Sequence, residues 1–359
     1  MQGTDSQKPI LIFLGFLDEN YSRSAVLLNY PSPDYEKKFY KVPTNIISAA
    51  RFVLNLKRSY RNRRVLFVIM SPCHKLTLPT RLITKQKIIL DAGWPLSDGE
   101  LSRPLRWQSF ISLPKAILID LVSLHSANLI LVETEHQKLR VARLFKISLG
   151  RIMVSYTGFN ESKVNSLLTD STFQGKLDRH VESFSNKKVV IFRGKVNSES
   201  GYARIIQAAR ILEDKAIFLL LVNQNNWTGS TPTNCYEINS FTDEQMHACY
   251  RVSQIALGQI SDHKRLNFTI PHKAYEAGFF GVAYLTSRSA GIEEFGTEDQ
   301  LTFLDSLSPE KIAEQILEMI KSGRDIPYGK SLSRHYQSKY SQPILNHTFE
   351  LMLKRVQLE

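Results

Sequence analysis

The strongest constraint on this chain is an alternation. Short apolar runs of strand length recur between longer stretches with helical periodicity, from one end of the sequence to the other. Residues 10–14, 65–70, 87–90 and 129–132 read as strands in the first half; 188–192, 216–222, 236–239, 255–258 and 282–286 do so in the second. Helical patterns occupy 44–60, 113–124 and 137–145, then 201–212, 243–252, 271–279 and 309–322, with Thr242 and Ser308 at capping positions. Strands without polar alternation need cover on both faces, which parallel sheets between helix layers provide. The fold class expected is α/β, two Rossmann-like domains with a ligand cleft between them at the strand carboxyl ends. A length of 359 residues suits two domains better than one core. The expected division is a basic domain over 1–165, a second over 166–340, and a C-terminal helix over 341–359 that is a candidate to pack back on the first domain. The polar stretch 170–186, which contains Gly175, is the best linker.

Composition excludes several classes. No apolar run approaches the roughly 20 residues that span a bilayer. Cys73, Cys235 and Cys249 form neither a disulfide framework nor a metal-ligand spacing. No charged-then-apolar secretory pattern opens the sequence, so a cytoplasmic protein is expected.

Charge is distributed unevenly. Residues 1–165 hold 24 Lys and Arg against 12 Asp and Glu, whereas residues 166–359 hold 22 of each, so the first half carries the whole net charge of +12. Such a half suits an anionic partner, or is an ordinary solvated basic surface. At 100° per residue Arg51, Lys57, Arg58 and Arg61 share an arc of about 120°, beside a stripe of Ala49, Phe52, Val53 and Leu56. A helix of that kind can lie on anionic lipid headgroups, and these four are the membrane-contact candidates. Nucleic acid is the weaker partner, because no helix-turn-helix, RRM or zinc-finger pattern occurs.

Two segments carry candidate chemistry. In the first, strand 189–192 leads through Arg193, Gly194 and Lys195 to Ser200 and Gly201 and then a helix, an arrangement that binds anions through backbone N–H groups, the helix start and the two cations. A plain strand-helix turn is the alternative reading. In the second, Pro271 opens a helix on which Lys273 and Glu276 share a face. Glu276 can accept from the adjacent hydroxyls of a ribose, or the two can form a surface ion pair worth little.

Together these segments resemble the donor domain of GT-B fold glycosyltransferases, in the retaining class called glycosyltransferase family four. Gly194 matches the first glycine of that family's phosphate loop, Lys195 stands at its arginine position and Gly201 at its last glycine; Ser200 replaces the usual lysine. Glu276 in Pro271-His-Lys-Ala-Tyr-Glu276 matches the second of a glutamate pair separated by seven intervening residues, and Phe268 stands where the first would be. Gly291 in Ala290-Gly-Ile-Glu-Glu294 resembles the following glycine turn. The resemblance covers residues 128–305 and is thin before them.

It implies retaining, metal-independent hexosyl transfer from a nucleotide-diphosphate sugar to a lipid-linked or envelope-glycan acceptor. No cofactor or metal is expected, and no Asp-x-Asp pair occurs. Donor contacts fall to Arg193, Gly194, Lys195, Ser200, Lys273, Glu276 and Gly291. Lys195 steadies the leaving phosphate and His74, after the 65–70 strand, reaches the sugar. Asp91 and Trp94, read as a loop after strand 87–90, are acceptor-side candidates. The expected location is cytoplasmic, peripheral on the inner face of the cell membrane. The alternatives are a nucleotide-sugar epimerase of the same fold, or a nucleotide-sugar or glycan binding protein without transfer activity.

Overall fold

A computed structural model describes residues 8–15, 22–101, 109–162, 164, 187–222, 227–239 and 241–358. The linker candidate 170–186 lies outside them. The elements run β1 (Ile10–Gly15), α1 (Ser22–Leu28), β2 (Glu36–Lys41), α2 (Ile46–Ser59), β3 (Val65–Ile69), α3 (Thr77–Thr84), β4 (Lys87–Gly93), α4 (Leu96–Leu101), α5 (Ser109–Ser126), β5 (Leu129–Val132), α6 (Glu135–Phe145) and β6 (Ile152–Val154). They continue with β7 (Lys188–Gly194), α7 (Tyr202–Ile211), β8 (Ala216–Val222), β9 (Cys235–Asn239), α8 (Asp243–Val252), β10 (Ile255–Leu257), α9 (His272–Phe280), β11 (Ala283–Thr286), α10 (Ala290–Phe295), β12 (Thr302–Phe303), α11 (Pro309–Ser322), α12 (Asp325–Lys339) and α13 (Gln342–Leu358). The chain forms two compact units, Met1–Thr157 with Pro343–Glu359, and Gly158–Gln342.

The first unit is built on a parallel six-stranded sheet in the order β2-β1-β3-β4-β5-β6. Its central strands are apolar throughout because both faces are covered. Ile10, Ile12 and Leu14 enter a core with Ala49, Val53 and Leu56 of α2 and Val141 and Phe145 of α6. The intervening Leu11 and Phe13 face the other way, onto Leu27 of α1 and Phe349, Met352, Leu353 and Val356 of α13. Asn45 starts α2 by accepting from the Ile47 and Ser48 N–H groups. That helix ends at Ser59, with Tyr60 at the C-cap, so Arg61 is not on it; the basic arc is Arg51, Lys57 and Arg58, all exposed.

The second unit is a parallel sheet in the order β12-β11-β10-β7-β8-β9. Val190, Phe192, Phe218, Leu220 and Leu285 form its core with Ile205 and Ile206 of α7 and Ile312 and Ile316 of α11. Thr242 and Gln245 close a capping box on α8. Consecutive strands step outward from β7 through β8 to β9, and the chain then crosses back to lay β10 on the other side of β7. The connections on either side of that reversal diverge, so the carboxyl ends of β7 and β10 flank the natural ligand crevice of an open parallel sheet.

Candidate functional site

At this reversal the second unit gathers several charged groups. β7 ends in Phe192, Arg193 and Gly194, all still paired with β8, and Pro271 stands at the N-cap of α9. Glu276, one turn into α9, has no exposed surface. Its Oε1 lies 2.9 Å from Arg193 Nη1 and accepts from His272 Nδ1 at 2.8 Å, while Oε2 accepts from the Tyr250 hydroxyl at 2.8 Å. Burial pushes the Glu276 carboxyl up, but the Arg193 charge, then His272 and Tyr250, outweigh it and hold the pKa at about 2. An ionised Glu276 assigns the proton to His272 Nδ1.

Lys273 is 5% exposed. Its ammonium donates to the Gly258 carbonyl oxygen at 2.7 Å, at the end of β10, and sits 4.2 Å from the centre of the Phe192 ring. Burial, reinforced by Arg193 and opposed by Glu276 and Glu199, brings its pKa down to about 7. The surface ion pair considered for Lys273 and Glu276 is therefore not what forms. Both are buried, and each is matched by a different strand end.

The loop after β7 is tied to the loop after β10 across the reversal. Ile260 N–H donates to Ser200 O at 3.1 Å, and Ser261 Oγ donates to Glu199 O at 2.5 Å. Gly201, with φ of +72°, lets the chain pass close enough that a Cβ there would stand 2.0 Å from Ile260 O. Ser200 is buried, its N–H bonded to Asn197 Oδ1 and its hydroxyl to Asn197 O, so it closes the turn. Lys195 projects from the loop exposed. No side chain caps the start of α7.

Arg193, Gly194, Lys273 and Glu276 thus gather at the adjacent carboxyl ends of β7 and β10. Gly291 has a different local duty: a Cβ there would meet Thr269 O at 2.3 Å and Leu266 O at 2.5 Å, so it allows α10 to approach that turn. Sequence reasoning missed His272 and Tyr250. His272 had a signal, lying four residues before Glu276 on one helix face; Tyr250, 26 residues away on α8, had none.

In the first unit the acceptor-side candidates are arranged otherwise than the sequence suggested. β4 continues through Asp91 to Gly93, so Asp91 is in the strand and not in a loop after it. It is buried, and Arg23 clasps it with Nε at 2.8 and 3.1 Å and Nη2 at 2.6 Å. Arg23 Nη1 also donates to Ser155 O at 2.7 Å. Asp91 is thereby bound within the fold, and Trp94 is half-buried. His74 begins a 3-10 turn and is 1% exposed, with neither ring nitrogen in a hydrogen bond of good geometry. Burial lowers its pKa, against the pull of Asp120 and Asp91, so the imidazole is neutral. It lines a cavity of about 430 Å³ with Thr44, Ile46, Lys75, Leu78 and Leu118.

Among the described residues no three His, Cys, Asp or Glu side chains are grouped as metal ligands. No described helix is long and apolar enough to cross a membrane.

No protein-family model matches the chain, and no curated protein matches its sequence. Solved structures do. Anabaena HepE in complex with UDP-glucose superposes with a TM-score of 0.70 at 11% identity, over 96% of this chain and 99% of that one. A glycosyltransferase from Rickettsia africae gives 0.69 at 10%, over 98% and 99%. An Escherichia coli trehalose-6-phosphate protein bound with UDP-2-fluoro glucose gives 0.64 at 10%, over 96% and 98%. At such identities the likeness is one of fold, and the chain has the GT-B fold, two Rossmann-like domains each on a parallel six-stranded sheet.

Proposed function

We propose that the protein is a glycosyltransferase that takes a hexosyl group from a nucleotide-diphosphate sugar, with a UDP-sugar as the first donor to test. The reading rests on the Arg193 guanidinium, held at the carboxyl end of β7 by a buried, ionised Glu276. Arg193 is 30% exposed, beside an uncapped helix start and an exposed Lys195. Fixed cationic charge, a helix start without a side-chain cap and an exposed lysine are what a departing diphosphate needs. They stabilise the negative charge that develops on it as the sugar bond breaks.

In this reading Glu276 acts first as the anchor of Arg193. Lys273 holds the β10 end through Gly258 O, and Ser200 and Gly201 shape the loop over which the phosphates lie. The acceptor hydroxyl gives its proton to the departing phosphate, which requires no dedicated base and no metal, and the anomeric configuration is retained. His74, neutral and buried, serves in the first unit as a shape element near the acceptor. A lipid-linked or envelope-glycan acceptor fits the basic first half. The UDP-glucose and UDP-2-fluoro glucose held by proteins of the same fold support the donor class.

The test uses Lys195→Gln, because an exposed loop lysine can be changed without disturbing the core. UDP and UDP-glucose should raise the melting temperature of the wild type, whereas GDP and ADP should not. Lys195→Gln, with its melting temperature unchanged in buffer, should bind UDP about 10-fold more weakly, as expected for loss of one charge-assisted phosphate contact. Donor binding without sugar transfer to any lipid or glycan acceptor would favour the binding-protein reading. No response to any nucleotide would remove the donor site altogether.

A further inference from the structure

The first unit carries an outward-facing apolar surface that its own core does not explain. Helix α5 buries Ala116, Asp120, Ser123 and Leu124. Its opposite face presents Ile111 at 70% exposure, Leu118 at 60%, and Ile117 and Leu121 at just over 40%. Surface helices ordinarily put polar residues there. The neighbouring helices continue the pattern, with Leu78 and Leu82 exposed on α3 and Ile46 and Ile47 on α2. The cavity over His74 joins them, since Ile46, Leu78 and Leu118 share its lining. One residue from each of the three helices thus meets at the cavity, and apolar surface gathered in this way marks interaction sites.

The charges around this face are mostly cationic, although one acid, Glu100, reaches α5 and accepts from Ser112 Oγ at 2.7 Å. Lys75 and Lys115 line the cavity itself, and no acidic residue does. Arg51, Lys57 and Arg58 stand exposed on α2. Helices α2 and α3 contain no Asp or Glu, and the one acid of α5, Asp120, is fully buried and accepts from the Leu96 and Ser97 N–H groups. An apolar centre whose surround is predominantly cationic, with Lys75 and Lys115 at the cavity and Arg51, Lys57 and Arg58 on α2, complements a bilayer whose interior is hydrocarbon and whose surface is anionic phosphate. A protein partner would need an apolar face ringed by acids, and nothing here selects one over a lipid surface.

We infer that the α2, α3 and α5 face is a docking surface for an anionic membrane, with Ile111, Leu118, Leu78 and Leu82 entering the acyl boundary and Lys75, Lys115 and Arg51 meeting lipid phosphates. The inference does not depend on the donor chemistry of the second unit. It extends the basic helix to an amphiphilic surface, with α5 as its apolar centre. The cavity over His74 gives the inserted chains a recess to occupy.

The full chain is floated with vesicles of phosphatidylcholine alone or mixed with phosphatidylglycerol. Binding should appear only with phosphatidylglycerol and weaken as salt is raised. The pair Ile111→Asp and Leu118→Asp should reduce partitioning at least about 10-fold. Lys75→Gln with Lys115→Gln should reduce it by a similar factor, about 10-fold, whereas Lys311→Gln in the second unit should leave it unchanged. If the aspartate pair fails to fold, Ile111→Ser with Leu118→Ser gives the same readout. Equal binding to both vesicle types would overturn the inference, as would wild-type partitioning by the apolar variants. So would a dimer in sedimentation that the apolar variants abolish, which would give the face to a second copy of the chain.

Discussion

A carboxylate without exposed surface survives as an anion only if donors surround it, and Glu276 has Arg193, His272 and Tyr250. The drop of its pKa from the ordinary 4.5 to about 2 corresponds to about 3 kcal/mol of folding stability. Because the folded value is the lower one, that contribution is complete above about pH 4.5 and is lost as pH falls toward 2. Glu276→Gln should therefore be less stable by about 3 kcal/mol at pH 7. The gap to the wild type should close in acid, which urea unfolding at pH 7 and pH 3 would read. An equal gap at both would mean that the charge of Glu276 does not stabilise the fold. The spacing from Pro271 to Glu276 was legible in the sequence because both lie on one helix. The partners were not, because Arg193 and Tyr250 arrive from other elements. For Asp91, the carboxylate was visible but Arg23, 68 residues away, was not.

At the scale of elements, the buried strands were readable because a parallel sheet covered on both faces writes them as unbroken apolar runs. Strand β2 was missed for the complementary reason. Its sequence Glu36-Lys-Lys-Phe-Tyr-Lys41 sits at a sheet edge and is half-exposed, and edge strands carry charge that prevents pairing with other chains. Loops obey local geometry in the same way. Gly201 and Gly323 both have positive φ, +72° and +66°, but a Cβ on Gly201 would strike Ile260 O whereas nothing lies within 4 Å of one on Gly323. Gly323→Ala should cost about 1 kcal/mol from backbone conformation alone. Gly201→Ala should cost about 3 kcal/mol or more, since it also parts the β7 and β10 loops. Similar denaturation midpoints for the two variants would show that the contact between those loops is slack.

At the scale of the molecule, the last residues complete the first unit. Phe349, Met352, Leu353 and Val356 cover the face of the sheet that shows Leu11, Phe13, Val68 and Leu131. Removing four buried side chains of this size forfeits roughly 6–12 kcal/mol, comparable with the whole stability of a domain. A chain ending at Gln342 should lose the cooperative unfolding of the first unit and bind a hydrophobic dye. The second unit should still melt cooperatively and still shift with UDP. A truncated chain with both transitions intact would mean that α13 only decorates the sheet.

The sequence by itself determined the layered α/β architecture, the strands that are buried on both faces, the capped helix starts and the helix that carries Lys273 and Glu276. Each of these is encoded in spacing and periodicity within a short window, where backbone geometry turns sequence distance into position. Tertiary structure alone decided that Glu276 holds Arg193, that Asp91 is bound by Arg23, and that α5 turns its apolar side outward. Those outcomes depend on which distant elements lie beside one another, and burial then sets the dielectric and hydrogen-bond partners that give a side chain its charge and its task.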